Sequence, residues 1–288
     1  SYCKKDSRIT SLHNSFGEEP VGITSALKTA YASSNGDYIT RMDADDLMPT
    51  TKLQILLELL RYSPANKVAT GKVSYFPKSE IKAGYYAYQQ WLNSLIDNHT
   101  HWQDIYKECV IASPAWLMER KTFESLGAFS SAKYPEDYDL VWRMFIGGLE
   151  VVSSPEVVHL WRDHKARVSR NEDTYSTQTY FDLKLGYMLS LPSFKDKNII
   201  VWGAGKKGKE IVKYLLQNNR TPLWVCNNPN KIGKEIYGLT LQDCETSILK
   251  NPKSIVLVSI SNPTQKNEVT DNLISAGLEV SKDFYILT

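Results

Sequence analysis

Gly36-Asp37-Tyr38-Ile39-Thr40-Arg41-Met42-Asp43-Ala44-Asp45-Asp46 is the stretch on which the reading of the whole chain turns. Asp37 to Met42 reads as a buried strand, with Tyr38 and Ile39 favourable there, and the aspartates sit at its C-terminal end. In extended chain, residues two apart project to the same side, so Asp43 and Asp45 can present their carboxylates together. Open α/β sheets bind ligands at the C-terminal ends of their strands. Hard carboxylate oxygens there suit Mg²⁺ or Mn²⁺, ions that also take oxygens from a diphosphate. The same residues read equally as a solvated turn whose aspartates cap the next helix. Taken alone, the stretch favours the turn.

Upstream, residues 8–12 (Arg-Ile-Thr-Ser-Leu) alternate like a short strand. Gly22, Ile23, Ala26, Leu27 and Ala30 follow at helical spacing, opening after Pro20 and closing near Asn35-Gly36. Downstream, Pro49-Thr50 starts a helix carrying Leu53, Leu56, Leu57 and Leu60, and Val68 to Val73 reads as a strand. Residues 74–108 are rich in aromatics without clean periodicity. For 85–106, core packing is preferred over a role in shaping an acceptor site. Order resumes at Cys109 to Ala112 and at Trp116 to Met118. A helix over Glu136 to Phe145 stops at Gly147-Gly148, and a last helical stretch near 175–190 precedes a break at Leu191-Pro192-Ser193. Strands and helices alternating through short connections argue an α/β layered fold.

Past the break the pattern restarts. Asn198 to Trp202, Leu223 to Cys226, Ser254 to Ser259 and Phe284 to Leu287 read as strands, with helices over Lys209 to Leu216 and about 265–276. This run reads as a small, doubly wound domain, 193–288, after a first domain of 1–192. Gly203-Ala204-Gly205-Lys206-Lys207-Gly208 fits GxGxxG after a strand and before a helix. The second strand ends in Cys226-Asn227-Asn228, without the acidic residue that would hold a ribose, so NAD is not expected. Lys206 and Lys207 would still favour an anionic ligand.

Composition bounds the function. The chain has 288 residues, 42% hydrophobic and 23% charged, enough for two domains with sizeable cores. A net charge of +2 offers no electrostatic footprint for nucleic acid and no polybasic membrane stripe. No apolar run approaches the roughly 20 residues that span a bilayer, and Ser1 to Asp6 has no signal-peptide core. Cys3, Cys109, Cys226 and Cys244 are scattered, so a reduced, cytoplasmic setting is expected rather than a disulfide framework or zinc site. Docking at the inner face of a membrane stays open.

The order Gly22…Ala26, Gly36-Asp37-Tyr38-Ile39, Asp43-Ala44-Asp45-Asp46, Cys109…Pro114, Leu126-Gly127-Ala128-Phe129, Glu136-Asp137-Tyr138-Asp139-Leu140 and Arg162-Asp163-His164 resembles the family 2 glycosyltransferases. The resemblance covers about residues 8–170. It implies a bacterial-type, inverting enzyme of the GT-A fold that uses a nucleotide diphosphate sugar, a UDP-sugar being the expected donor. The acceptor would be a hydroxyl of a surface polysaccharide or glycolipid. By the same resemblance Asp43 and Asp45 match the DxD pair, Asp45 contacting Mn²⁺ or Mg²⁺ and Asp43 lying nearer the nucleotide, with Asp46 a neighbouring candidate. Asp137 matches the general base of the Glu-Asp motif, with Glu136 a supporting carboxylate. His164 falls where many GT-A enzymes carry a histidine that completes the metal site.

Arg162 would face the diphosphate or a nearby acid. Trp116, in the donor–acceptor loop region, would pack on a sugar ring. Read by themselves, Glu136-Asp137 are helix caps and His164 an ordinary exposed histidine. The family's opening elements, a Val-Val-Ile-Pro-Tyr-Asn-like strand, a helix and an Asp-Asp-Gly-Ser-like strand end, form the nucleoside pocket. They are not found here, so the expectation is a GT-A domain lacking its first strand-helix-strand that binds sugar nucleotide poorly. Asn227-Asn228-Pro229 and Lys231-Ile232-Gly233…Gly238 resemble small Rossmann-like domains found beside sugar-modifying enzymes, which implies a structural or regulatory second domain, or one for an unidentified nucleotide. Two other functions remain open: a sugar-nucleotide oxidoreductase using that second domain, and a non-catalytic sugar-nucleotide binder.

Overall fold

The computed structural model describes residues 2–14, 22–62, 65–77, 81–130, 133–164, 177–244 and 253–288. The mixed α/β chain separates into two compact units, one of Ser1–His99 with Ile111–Arg167, the other of Thr100–Val110 with Val168–Thr288. Pro20 and residues 175–176, which figure in the expected helix boundaries, lie outside the described residues.

In the first unit, β1 (Tyr38–Thr40), β2 (Lys67–Phe76), β3 (Trp116–Glu119) and β4 (Glu150–Arg162) form one sheet in the order β1-β3-β2-β4. β3 runs antiparallel to both neighbours, and β2 and β4 are parallel. α1 (Ile23–Ala32), α2 (Lys52–Leu60), α3 (Ala83–Asn98), α5 (Arg120–Ser125) and α6 (Glu136–Ile146) belong to this unit, and α4 (His101–Asp104) to the other.

Three expectations are corrected here. Residues 8–12 form no strand; they are turn and coil, and Ile9 and Leu12 are each 44% exposed. Cys109 to Ala112, where the sequence reading had order resume, is buried loop. The aromatic-rich stretch holds the 16-residue α3, which buries Leu92, Leu95 and Ile96. On α2 the buried face is Lys52, Leu56 and Leu60, each one turn from the next, while Leu53 and Leu57 face outward at 46% and 43% exposure.

β4 has no counterpart in the sequence reading, because Ser153-Ser154-Pro155-Glu156 breaks its alternation. The break is a bulge: Gly71 pairs with Ser154, but Lys72 pairs with Val157 and Val73 with His159. Gly71 is required there, since a Cβ would stand 2.7 Å from Val158 Cγ1. Past these shifts, His159 to Arg162 run beside the aspartate loop, and Leu47 bridges to Leu160 with both backbone hydrogen bonds at 3.0 Å.

In the second unit, β5 (Asn198–Trp202), β6 (Leu223–Val225), β9 (Ser254–Val258) and β10 (Phe284–Ile286) form a parallel sheet in the order β10-β9-β5-β6. The helices are α7 (Thr177–Ser190), α8 (Lys206–Gln217) and α9 (Pro263–Ser275). A two-stranded hairpin of β7 (Glu235–Ile236) and β8 (Leu239–Thr240), unforeseen in the sequence, turns on Tyr237-Gly238, both at positive φ. The chain leaves β5 toward β6 and then crosses to β9 on the other side, so the strand order reverses beside the glycine loop. Gly208 can be nothing larger, because a Cβ would lie 2.0 Å from Gly203 O.

Lys184 explains why residues 100–110 group with this unit. Its buried ammonium donates to the carbonyls of Lys107 and Leu287, both at 2.9 Å, and of Tyr106 at 3.3 Å. Burial holds its pKa down at about 8 despite the carboxylate of Glu108. The compact units divide at Arg167 and Val168, with Thr100–Val110 in the second, where the sequence reading divides the chain at 192/193.

Candidate active site

β1 delivers the chain to the aspartate loop, and the three aspartates meet three different fates. Asp46 is buried at 8% exposure, and both of its carboxylate oxygens are engaged. Oδ1 accepts from Arg162 N–H at 2.7 Å, and Oδ2 lies 2.8 Å from His159 Nε2. A carboxylate accepts, so Nε2 carries the proton. His159 Nδ1 is buried with no hydrogen-bond partner among the described residues. Asp46 thus fastens the loop to β4, which corrects its standing as a neighbouring metal candidate.

Asp45 points outward. Its Oδ2 lies 2.8 Å from His164 Nε2, with the two side chains 45% and 35% exposed. Its backbone carbonyl accepts from Arg162 Nε, and the Arg162 guanidinium lies over Phe76 at 4.6 Å. Asp43 turns inward instead and accepts from Arg41 Nε at 2.9 Å. Among the described residues, no group of three His, Cys, Asp or Glu side chains is arranged to hold a metal. Asp45 and His164 are joined instead by a direct hydrogen bond, which an ion held between them would have to replace.

Arg41, which no motif singled out, ties this loop to α6. It is 8% exposed and donates from Nε to Asp43 and from Nη1 to Glu136, each at 2.9 Å. Burial works against its charge, but Asp43, Glu136 and Asp137 outweigh that and raise its pKa above the ordinary arginine value. Glu136 and Asp137 open α6, where the helix dipole favours negative charge. α6 is itself held by Arg143, which bonds Asp139 at 2.9 Å and the carbonyls of Leu126 and Ala128 at 2.7 and 2.9 Å. The Leu126-Gly127-Ala128-Phe129 motif is thereby the anchor of the helix that carries Asp137.

Lys52 was also missed. It is fully buried, donates to Pro114 O, and burial lowers its pKa to about 8, with Asp43 and Asp46 opposing that shift. Its place on the Leu56–Leu60 face was the available signal, masked by the more hydrophobic Leu53–Leu57 edge. Trp116 sits in the core at 2% exposure, stacked on Phe123 at 5.7 Å, rather than on an open rim where a sugar ring could lie. Of the residues expected at the site, the fold joins Asp43 to Glu136 through Arg41, and Asp45 to His164 and Arg162.

Residues 1–127 match the model of Glycosyl transferase family 2. The match spans Arg41, the aspartate loop, Ser113 and Trp116, whereas Glu136, Asp137, Arg162 and His164 lie beyond it. Two solved structures are similar to the chain. One, RSP in complex with beta-NAD+ and operator DNA, is 17% identical over 70% of this chain and 81% of that one, at a TM-score of 0.28. The other, RSP in complex with beta-NADH, is 17% identical over 73% and 88%, also at 0.28. Likeness at that TM-score carries no argument. Among the described residues, no helix is long and apolar enough to cross a membrane.

Proposed function

We propose, from the match of residues 1–127 to Glycosyl transferase family 2, that the chain is a metal-dependent, inverting transferase. It moves a sugar from a nucleotide diphosphate sugar, a UDP-sugar first among candidates, to a hydroxyl of a saccharide or glycolipid. The observation that carries this is the Arg41 bridge. One buried guanidinium holds the aspartate loop and the Glu136-Asp137 helix start together, through 2.9 Å bonds to Asp43 and Glu136.

In this reading Asp137 takes the proton from the acceptor hydroxyl as that oxygen attacks the anomeric carbon. Glu136 is committed to Arg41 and acts by positioning. Asp45 and His164 would hold Mg²⁺ or Mn²⁺, which when bound neutralises charge on the leaving diphosphate. Asp43 stays on Arg41, where it orients the loop toward the nucleotide. Arg162, its Nε on the Asp45 carbonyl, steadies that carbonyl and extends positive charge toward the diphosphate.

The C-terminal unit reads as a Rossmann-like domain with a structural or regulatory role. Its parallel sheet and glycine loop support that reading. At the end of β6, Asn227 Oδ1 accepts from Trp202 Nε1 at 2.6 Å, which speaks against a ribose contact there and so against dinucleotide chemistry.

A donor screen of the chain with Mn²⁺ or Mg²⁺, following nucleotide release, tests the main reading. Release that disappears in Asp137→Asn is expected. Release indifferent to Asp45→Ala and Asp137→Asn, but lost in Gly205→Val, would move the function to the glycine loop. Gly205 has open space where its Cβ would stand, so that variant should still fold.

A further inference from the structure

Ser113, in the loop that enters β3, is 6% exposed, and its Oγ has no hydrogen-bond partner among the described residues. Buried hydroxyls are ordinarily satisfied, so an orphan at a candidate site asks what completes it. Ser113 borders a small cavity against Arg41, Glu136, Asp137, Trp116 and Phe129. The cavity has room for about one water-sized group, ≈ 10 Å³.

Charge and size narrow the occupant. Arg41 brings one positive charge, but Glu136 and Asp137 line the same space and Asp43 already holds the guanidinium at 2.9 Å. A phosphate would meet a net negative wall and is too large. A bare cation would face the guanidinium. Trp116 and Phe129 close the cavity with an apolar side that disfavours a charged occupant. What fits the volume is one neutral hydroxyl-sized group, either a water or a single saccharide hydroxyl whose ring stays outside the cavity.

We propose that Ser113 recognises one hydroxyl of the saccharide handled at Asp137, with its Oγ hydrogen-bonded to that hydroxyl. The proposal rests on the transferase reading above and deepens it by naming a specificity-determining residue. A site built to bond a hydroxyl rejects the analogue that lacks it, because its own polar group is then left unpaired.

The test compares the chain with Ser113→Ala, in Mn²⁺, using UDP-glucose, UDP-galactose and UDP-N-acetylglucosamine, with methyl glycosides as acceptors. The monodeoxy forms of the best donor and the best acceptor follow. One deoxy position should cost the parent chain about tenfold or more in kcat/KM, and Ser113→Ala should lose that discrimination. If the lost position is on the donor, the hydroxyl belongs to the transferred sugar; if on the acceptor, to the acceptor. Equal deoxy penalties in parent and variant at every position overturn the proposal, leave the transferase reading intact, and assign the cavity to water. Absence of nucleotide release from any sugar nucleotide overturns both. Since Oγ has no partner to lose, Ser113→Ala should keep the thermal midpoint within about 2 °C; a larger fall would show the hydroxyl bonded in the free chain and sink the proposal.

Discussion

Two aspartate–histidine pairs, each at 2.8 Å, stand on neighbouring residues of one loop, yet they serve opposite ends. Asp46 and His159 have side chains 2% and 0% exposed, whereas Asp45 and His164 are 45% and 35% exposed. Removing one partner of a buried polar pair strands the other away from water, which costs far more than the pair contributes. An exposed pair is nearly neutral for folding, because water replaces what is lost. The inner pair therefore holds the loop on β4, and the outer pair's contact is one that water can replace at little cost. Consecutive residues with the same chemistry thus differ in what they contribute to folding through solvent access alone.

The comparison can be broken at four points, in order of stability lost. Asp46→Ala should be the most damaging, at about 4 kcal/mol by urea denaturation, since it strands both His159 Nε2 and the Arg162 N–H. Arg41→Met should follow at about 3 kcal/mol, because it leaves Asp43 and the 9%-exposed Glu136 carboxylate without their shared cation. A loss under 1 kcal/mol would mean that the bridge does not join loop to helix.

Lys52→Met probes the same buried layer through pH. With its folded pKa near 8 against an ordinary 10.5, Lys52 is charged in both states below about pH 8, and its burial cost is then fully present. Between about 8 and 10.5 the unfolded chain holds more protons, so stability rises with pH by up to about 1.4 kcal/mol per unit. Urea midpoints from about pH 7.5 to 9.5 should climb for the parent chain and climb less for Lys52→Met, in which Lys184 and Lys266 still favour the rise and Cys244 opposes it. A variant with the parent's slope would refute a depressed Lys52.

The smallest effect on folding should come from Asp45→Ala or His164→Ala, below about 1 kcal/mol. Either should nonetheless cut cation-dependent nucleotide release by at least about 100-fold, if a divalent ion carries the several kcal/mol usual for such catalysis. Should Asp45→Ala unfold the chain as readily as Asp46→Ala, the division between the two pairs fails.

Some of this was readable in advance. Tyr38 to Thr40 leading into an acidic turn, and Trp202 leading into a glycine loop, are local signals carried by β propensity and turn chemistry, and both appear where expected. Glu136 to Phe145 was legible as a helix for the same reason, its apolar residues recurring on one face. β4 escaped because its bulge interrupts the period of two on which strand reading depends. Lys52 escaped because a charged residue is discounted on a buried face, although its spacing from Leu56 and Leu60 was in view. Arg41 lay inside the deciding stretch itself, yet nothing nearby indicates that its second partner is Glu136.

The sequence by itself determined the alternation of strands and helices, the placement of the acidic and glycine-rich turns at strand ends, and the candidate set Asp43, Asp45, Asp46, Glu136, Asp137 and His164. Those features depend on backbone sterics and periodicity over a few residues. Tertiary structure alone decided which aspartate is scaffold and which faces solvent. The deciding partners lie 95 residues away for Arg41 and Glu136, 113 for Asp46 and His159, and 119 for Asp45 and His164. Burial and pairing at such separations are set by the packing of β4 and α6 against the loop, which no local pattern encodes.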